Sequence, residues 1–381
     1  MRIYVVKRGD SVDTIAASQG IPVESLIFDN QIGYPYRLAV GQALYIRDGS
    51  PSEERMPLYV FGYAYPIISQ DNLENTLPYL TDLYVFSYGF TMEGELVPPM
   101  SSDDWMIERA WQFGVRPILT LTPLGPDGHF NNNLVSTSVH NMEVQQRMTW
   151  NLGLKMLEKG FGGMDFDFEY IMADDRVGYA DFVRRTTQIM NQFGYQVSVA
   201  LAPKTSAGQV GLLYEGVDYG LLGEAANRVL LMTYEWGYTF GPPMAVAPIN
   251  MVRRVVEYAL TEIPREKISL GIPNYGYDWP LPYVRGVTRA RTINNLEAVQ
   301  IAIDHGVEIQ FDEVAMSPYF RYWQYGVQHE VWFEDVRSYK AKFDLIKEYG
   351  LTGAGYWQIM QFFRANWLLL EQMFDIKKVG E

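Results

Sequence analysis

The chain has 381 residues, enough for one large domain and a small one, and 48% of them are hydrophobic, so a sizeable core is available. A formal net charge of −14 argues against nucleic acid or an anionic membrane as partner, and the absence of cysteine excludes a disulfide framework and thiol chemistry. No apolar run reaches membrane-spanning length, and Met1–Lys7 lacks an apolar leader with a cleavage site, so the sequence does not read as a secreted precursor.

Residues 1–47 read as a strand–helix–helix–strand unit. Ile3 to Val6 is a short strand, and Gly9-Asp10-Ser11 turns into a helix with Asp10 or Ser11 as its N-cap and Ile15 and Ala16 on its buried side. Pro22 opens a second short helix through Leu26, which Asp29-Asn30 ends; Leu38, Gly41-Gln42 and Leu44–Ile46 give the returning turn and strand. These positions together resemble a LysM module. The resemblance implies binding to polymers that contain N-acetylglucosamine, in a groove between the Gly9, Asp10, Ser11, Val12 loop and the loop running from Leu26 past Asn30 to Ile32. A small adaptor fold without ligand is the alternative. A single module binds weakly, so its expected service is to raise the local substrate concentration. Residues 48–56 are polar with Gly and Pro and read as a linker.

From residue 57 to 381, strands alternate with helical stretches, the pattern of an α/β barrel. Strands are expected at 58–63, 84–90, 116–121, the acidic run within 160–170, 196–202, 228–234, 268–272 and 353–357, with a helix over 179–193. The last two strands are too far apart for a single helix. An α+β insertion is therefore expected over about 283–332, with 296–305 helical and 308–312 a strand.

The most informative stretch is Gly160-Phe161-Gly162-Gly163-Met164-Asp165-Phe166-Asp167-Phe168-Glu169-Tyr170. Its three carboxylates alternate with apolar residues, a period of two that belongs to a strand, so Asp165, Asp167 and Glu169 share one face. Lining up acids on a buried strand raises repulsion and desolvation costs, which points to a site. A solvated edge strand and a metal site are the other readings, but the flanking Gly-Phe-Gly-Gly suits an interior strand and no His lies nearby. Dinucleotide binding at these glycines fails because a strand follows, and His129, His140, His305 and His329 lack zinc-ligand spacing, so no metal and no cofactor is expected.

The run resembles the Asp-X-X-Asp-X-Asp-X-Glu signature on the fourth strand of family 18 glycoside hydrolases, with Gly162 where the first Asp would stand. The resemblance implies a (β/α)8 TIM barrel whose strand ends carry the chemistry. It makes Glu169 the general acid, its pKa raised by Asp167; Asp167 would hold the substrate's acetamido nitrogen, Tyr234 its oxygen, and Asp165 would share a proton with Asp167. Family 18 is a substrate-assisted exception to the two-carboxylate scheme, so anomeric configuration would be retained. Strand ends also place Tyr63, Tyr88, Glu235, Trp236, Asn274, Tyr275, Trp357 and Gln358 as candidate sugar contacts, Trp357 as the floor of the cleft. Met232-Thr233-Tyr234-Glu235-Trp236-Gly237-Tyr238 and His329–Asp335 resemble cortex-lytic N-acetylglucosaminidases of spore-forming bacteria, which implies spore peptidoglycan as partner and the spore coat or cortex as location. Chitin, a cytoplasmic location, and a non-catalytic glycan-binding coat protein are the alternatives.

Overall fold

The computed structural model describes residues 2–47, 55–125, 128 and 130–379; residues 48–54 of the expected linker, and His129, lie outside the described residues. At the N-terminus, strands Arg2–Val5 and Ala43–Ile46 pair antiparallel around helices Val12–Gln19 and Val23–Asp29. Ser11 is the N-cap: its Oγ accepts from the Thr14 N–H at 3.2 Å, and Thr14 Oγ1 accepts from the Ser11 N–H at 2.9 Å, which satisfies two of the helix's unpaired donors. A small core of its own joins Val6, Val12, Ile15, Ala16, Leu26, Ile32, Leu44 and Ile46.

Eight parallel strands then close on themselves: Met56–Ala64, Asp82–Phe90, Arg116–Leu121, Gly163–Phe166, Gln196–Leu201, Arg228–Leu231, Ile268–Pro273 and Gly353–Trp357, the last pairing with the first from Gly353–Tyr59 to Tyr356–Gly62. Helices cover the outside, so the strands are apolar on both faces, as parallel strands must be. The interior is filled by aromatic rings; Phe61 and Tyr84 stack with centroids 4.3 Å apart. Gly355 makes room for them, since a Cβ there would lie 2.5 Å from the Phe61 ring. At the N-terminal end of the strands, Arg116 makes a two-point ion pair with buried Asp82 at 2.9 and 3.0 Å, and Arg228 lies over the Tyr59 ring at 3.9 Å.

The expected fold class holds, with shorter strands in two places. The fourth and sixth barrel strands end at Phe166 and Leu231, because the chain leaves the ladder to turn toward the cleft. The insertion begins at Gly276, earlier than expected, and is mostly β: a five-stranded antiparallel sheet in the order Arg291–Ile293, Gly276–Pro280, Val327–Trp332, Ser317–Gln324, Gln310–Asp312, with helix Asn295–His305 against it. The Gly276–Pro280 strand was hidden by its first and last residues, which weaken any strand reading. Its long hairpin turns through Tyr325 and Gly326, both at positive φ (50° and 79°), the geometry of a two-residue hairpin turn that tyrosine does not advertise.

Where the insertion returns to the barrel, Lys342 and Glu334 form a fully buried ion pair at 2.8 Å. Breaking such a pair by removing one partner strands the other charge. Lys342→Met is expected to destabilise the protein by about 3–5 kcal/mol in urea unfolding at neutral pH, and Lys342→Met with Glu334→Leu to recover most of that loss.

Candidate active site

The fourth strand delivers its acids one after another to the C-terminal end of the barrel. Asp165 lies inside the barrel, fully buried, with Oδ1 accepting from Ser198 Oγ at 2.6 Å and Oδ2 from the Tyr63 hydroxyl at 2.9 Å. Past the strand's end the backbone stays extended, the Asp167 N–H still donating to the Leu121 carbonyl at 3.0 Å, so Asp167 keeps the same facing two residues further out. Asp167 is buried, and its Oδ1 accepts no hydrogen bond from any described residue. Glu169 is half-buried, and Tyr170 then turns away at φ 57°.

Asp167 and Glu169 open into a cleft of about 480 Å³, with Tyr63, Tyr214, Tyr234, Glu235, Tyr238 and Trp357 among its walls. Trp357 stands on edge to Phe86 at 5.0 Å and Tyr63 at 5.7 Å, which fixes its plane in the cleft's lining. Among the described residues no lysine, arginine or histidine lines this cavity. A second cavity, about 530 Å³, lies on the outer wall between helices Met142–Lys159 and Arg176–Gln192, lined by Trp150, Leu154, Leu157 and Phe193 and, among the described residues, by no acid or cation.

Burial raises the pKa of every acid on the ladder. Asp165 is pushed up to about 6 by desolvation, against the two hydroxyls that favour its anion. Asp167 is pushed well above the usual carboxylate range by burial, then by the charges of Glu169 and Asp165. Glu169 is raised to about 7 by burial first and by Glu235 second. Repulsion between Asp167 and Glu169 is mutual, so the expected effect of Asp167 on Glu169 stands, with burial the larger cause and Glu235 a further charge bearing on it. Glu235, at φ 66°, has its carboxylate gripped by the Tyr275 hydroxyl and by the Tyr277 hydroxyl at 2.9 and 3.1 Å; burial raises its pKa and these bonds oppose the rise.

The structure brings together Tyr63, Asp165, Asp167, Glu169, Tyr234, Glu235 and Trp357, with Tyr275 one bond behind. It separates others. Tyr88 points outward, buried, and donates to Asp103 at 2.7 Å, because the register of its strand shifts between Val85 and Tyr88. Asn274 is buried and pins the loop after the last strand, its Nδ2 donating to the Gln361 carbonyl at 2.8 Å. Gln358 Oε1 is used by the Met360 N–H at 2.6 Å, and Trp236 packs on the main core. In the LysM region, Asp10 accepts from Tyr4 and Lys7, Asn30 bridges Leu26 and Tyr45, and Val12 and Ile32 are core, so these side chains build the two loops; Gly9 is exposed on the first of them. Tyr170, Tyr214, Tyr238 and Tyr277 were not expected at the site. They sit on irregular loops or on the unforeseen insertion strand, where no period marks them.

Comparison with known proteins assigns the family. The profile of glycosyl hydrolases family 18 matches residues 131–361, more than half of the chain, and that of the LysM domain matches residues 4–47. The chain is 39% identical to the cortical fragment-lytic enzyme of Bacillus subtilis, over 99% of both chains. The chain belongs to glycosyl hydrolase family 18. A crystal structure of the Bacillus cereus spore cortex-lytic enzyme SleL superposes with a TM-score of 0.94 at 32% identity, over 100% of this chain and 99% of that one. The Chromobacterium violaceum chitinase, at 22% identity and a TM-score of 0.76 over 83% of this chain and 98% of its own, shares the fold. As a family 18 member the chain is a glycoside hydrolase with an N-terminal LysM domain.

One departure from the family signature has a steric cause. At Gly162 a Cβ would sit 2.4 Å from Arg116 Cγ and 2.6 Å from its Cδ, so the space of the missing acid holds the arginine that pairs with Asp82.

The link between Glu235 and Glu169 can be tested. In Tyr277→Phe, Glu235 loses a donor that favours its anion and takes up a proton at higher pH. With less charge opposite, Glu169 is expected to release its proton below about 7, read as an acid-ward shift of its carboxyl band in difference infrared titration.

Proposed function

We propose that the protein hydrolyses β-1,4 bonds at N-acetylglucosamine in spore-cortex peptidoglycan, with retention and with the substrate's own acetamido group as nucleophile. The observation that carries this reading is the ladder from buried Asp165 and Asp167 to half-buried Glu169, which runs from the barrel interior into an open cleft lined by Trp357. Glu169, protonated up to about pH 7, gives its proton to the glycosidic oxygen while the acetamido carbonyl oxygen attacks the anomeric carbon. The free Oδ1 of Asp167 accepts from the acetamido N–H and stabilises the positive charge of the oxazolinium. The Tyr234 hydroxyl binds the acetamido oxygen, and Asp165 takes part of the proton as Asp167 ionises. Water, deprotonated by Glu169, then opens the ring on the same face.

Glu235 is a second carboxylate in the cleft, but two tyrosine hydroxyls occupy it, whereas Asp167 keeps an open acceptor. That favours the substrate-assisted route over a covalent glycosyl-enzyme. An oligomer lacking the 2-acetamido group at the cleaved sugar is expected to bind and not to turn over; measurable hydrolysis of it would move the nucleophile to Glu235.

The choice of peptidoglycan rests on the cortex-lytic relatives and on charge. Residues 1–47 carry five basic and four acidic side chains in a chain of net charge −14, so the LysM region is the part least repelled by an anionic glycan. Its glycan groove would run past Gly9, between the loops held by Asp10, Ser11, Asn30 and Ile32. The protein would then act in the spore coat or cortex. Among the described residues no helix is long and apolar enough to cross a membrane, and no cluster of three or more metal-ligating side chains is formed.

Glu169→Gln is expected to lower turnover on cortex fragments by about 10²–10⁴-fold while fragment binding by calorimetry is retained. Near-normal release of reducing ends, followed by mass spectrometry, would overturn the assignment. Running chitin oligomers beside the cortex fragments separates the two polymers.

A further inference from the structure

The segment Gln31–Arg37 of the LysM region is bonded at both ends to the catalytic domain. At one end the Gln31 side chain brackets a turn of the barrel: its Oε1 accepts from the Arg364 N–H at 2.6 Å and its Nε2 donates to the Phe362 carbonyl at 3.3 Å. Arg364 reaches back, donating to the Phe28 carbonyl at 3.0 Å with its guanidinium 3.9 Å from the Phe28 ring. At the other end Arg37 pairs with Asp304 on the insertion helix at 3.0 Å. Just beyond, the Ile309 N–H donates to the Val40 carbonyl at 2.8 Å, and Gly41 is so close to Ile309 that a Cβ would collide with its carbonyl.

Between these two anchors the segment displays Tyr34 and Tyr36, 86% and 42% exposed, edge to face with centroids 5.7 Å apart. Gln31 and Tyr36 both stand at positive φ, 51° and 62°, conformations that non-glycine residues avoid and that a free loop would relax. An aromatic pair in water, held by two anchors and two strained backbone positions, is not explained by packing, since it covers no core.

The anchors also fix where the pair sits. Phe362 lies in the loop that leaves the last barrel strand directly after Trp357, Arg364 opens the helix Arg364–Met373 that follows it, and the insertion leaves the strand before, so both anchors lie at the C-terminal end of the barrel, where the cleft is. Arg364 is seven positions after Trp357, a span of no more than about 25 Å.

We propose that Tyr34 and Tyr36 form a second sugar-stacking site, held in fixed register with the cleft, that takes a distal part of the same N-acetylglucosamine-containing strand whose bond lies over Trp357. A rigid tyrosine face presents apolar surface to a pyranose ring at little entropic loss, and its hydroxyl can serve the ring's substituents. Because the site does not wander on a tether, its gain depends on strand length: a short oligomer fills the cleft alone, and a longer one gains both contacts at once.

This inference rests on the glycosidase reading above, and the experiment separates the two. In the full-length protein, kcat/KM is measured along a disaccharide-to-octasaccharide series of N-acetylglucosamine oligomers, and on cortex fragments sized by chromatography. The unaltered protein is expected to gain at least about tenfold once the strand spans both sites. Tyr34→Ala with Tyr36→Ala is expected to lose that gain, and Tyr34→Phe with Tyr36→Phe, which keeps the stacking faces, to retain most of it; circular dichroism melting confirms that both variants fold. No dependence on length in the unaltered protein, a full gain in the alanine pair, or equal loss in the phenylalanine pair would overturn the proposal. Absence of hydrolysis at every length would instead sink the glycosidase reading.

Discussion

Three carboxylates on one face of a buried strand end repel one another and lose hydration, and much of the surrounding architecture serves to make that arrangement tolerable. Ser198 and Tyr63, from neighbouring strands, donate to the innermost acid, and aromatic rings around Tyr63 hold that donor in place. The middle acid has an oxygen with no partner, so its charge is the least supported of the three. The outermost acid reaches a cleft that it shares with another carboxylate, Glu235, whose charge disfavours its own. Each step outward trades burial for access, which is what allows one short peptide to hold a proton at depth and present another at the surface.

The same constraint explains why the site was so legible in the sequence. A period-two run of acids and aromatics has few physical interpretations, and Asp165, Asp167 and Glu169 all face as that period requires. Tyr63 and Trp357 were also legible, because parallel strands of recognisable length end at or beside them, and Tyr234 lies three residues past a strand that ends at Leu231. Tyr88 shows where the method fails: a register shift within its strand turned a residue counted as facing the cleft toward a helix. Asn274 and Gln358 were correctly placed at strand ends, but local backbone groups claimed their amides, and no pattern in the chain announces such a claim.

What the sequence concealed lies in segments without periodicity. The insertion's sheet begins at a glycine and turns at a Tyr-Gly pair, so its extent was underestimated, and with it Tyr277, which helps set the charge of Glu235. The attachment of the LysM region was equally hidden. Gln31, Arg37 and Arg364 are ordinary polar residues in the sequence; only the folded chain shows that they meet across more than 260 positions.

Gly162 reaches beyond the acidic run to which it belongs. The room that a side chain would need is filled by the stem of Arg116, whose head group neutralises Asp82 beneath the strands. A side chain restored there would have to push that stem aside, and the guanidinium it carries would move with it, away from the geometry that holds Asp82. An outward-facing position on the acidic strand is thus tied to the charge balance at the opposite end of the barrel.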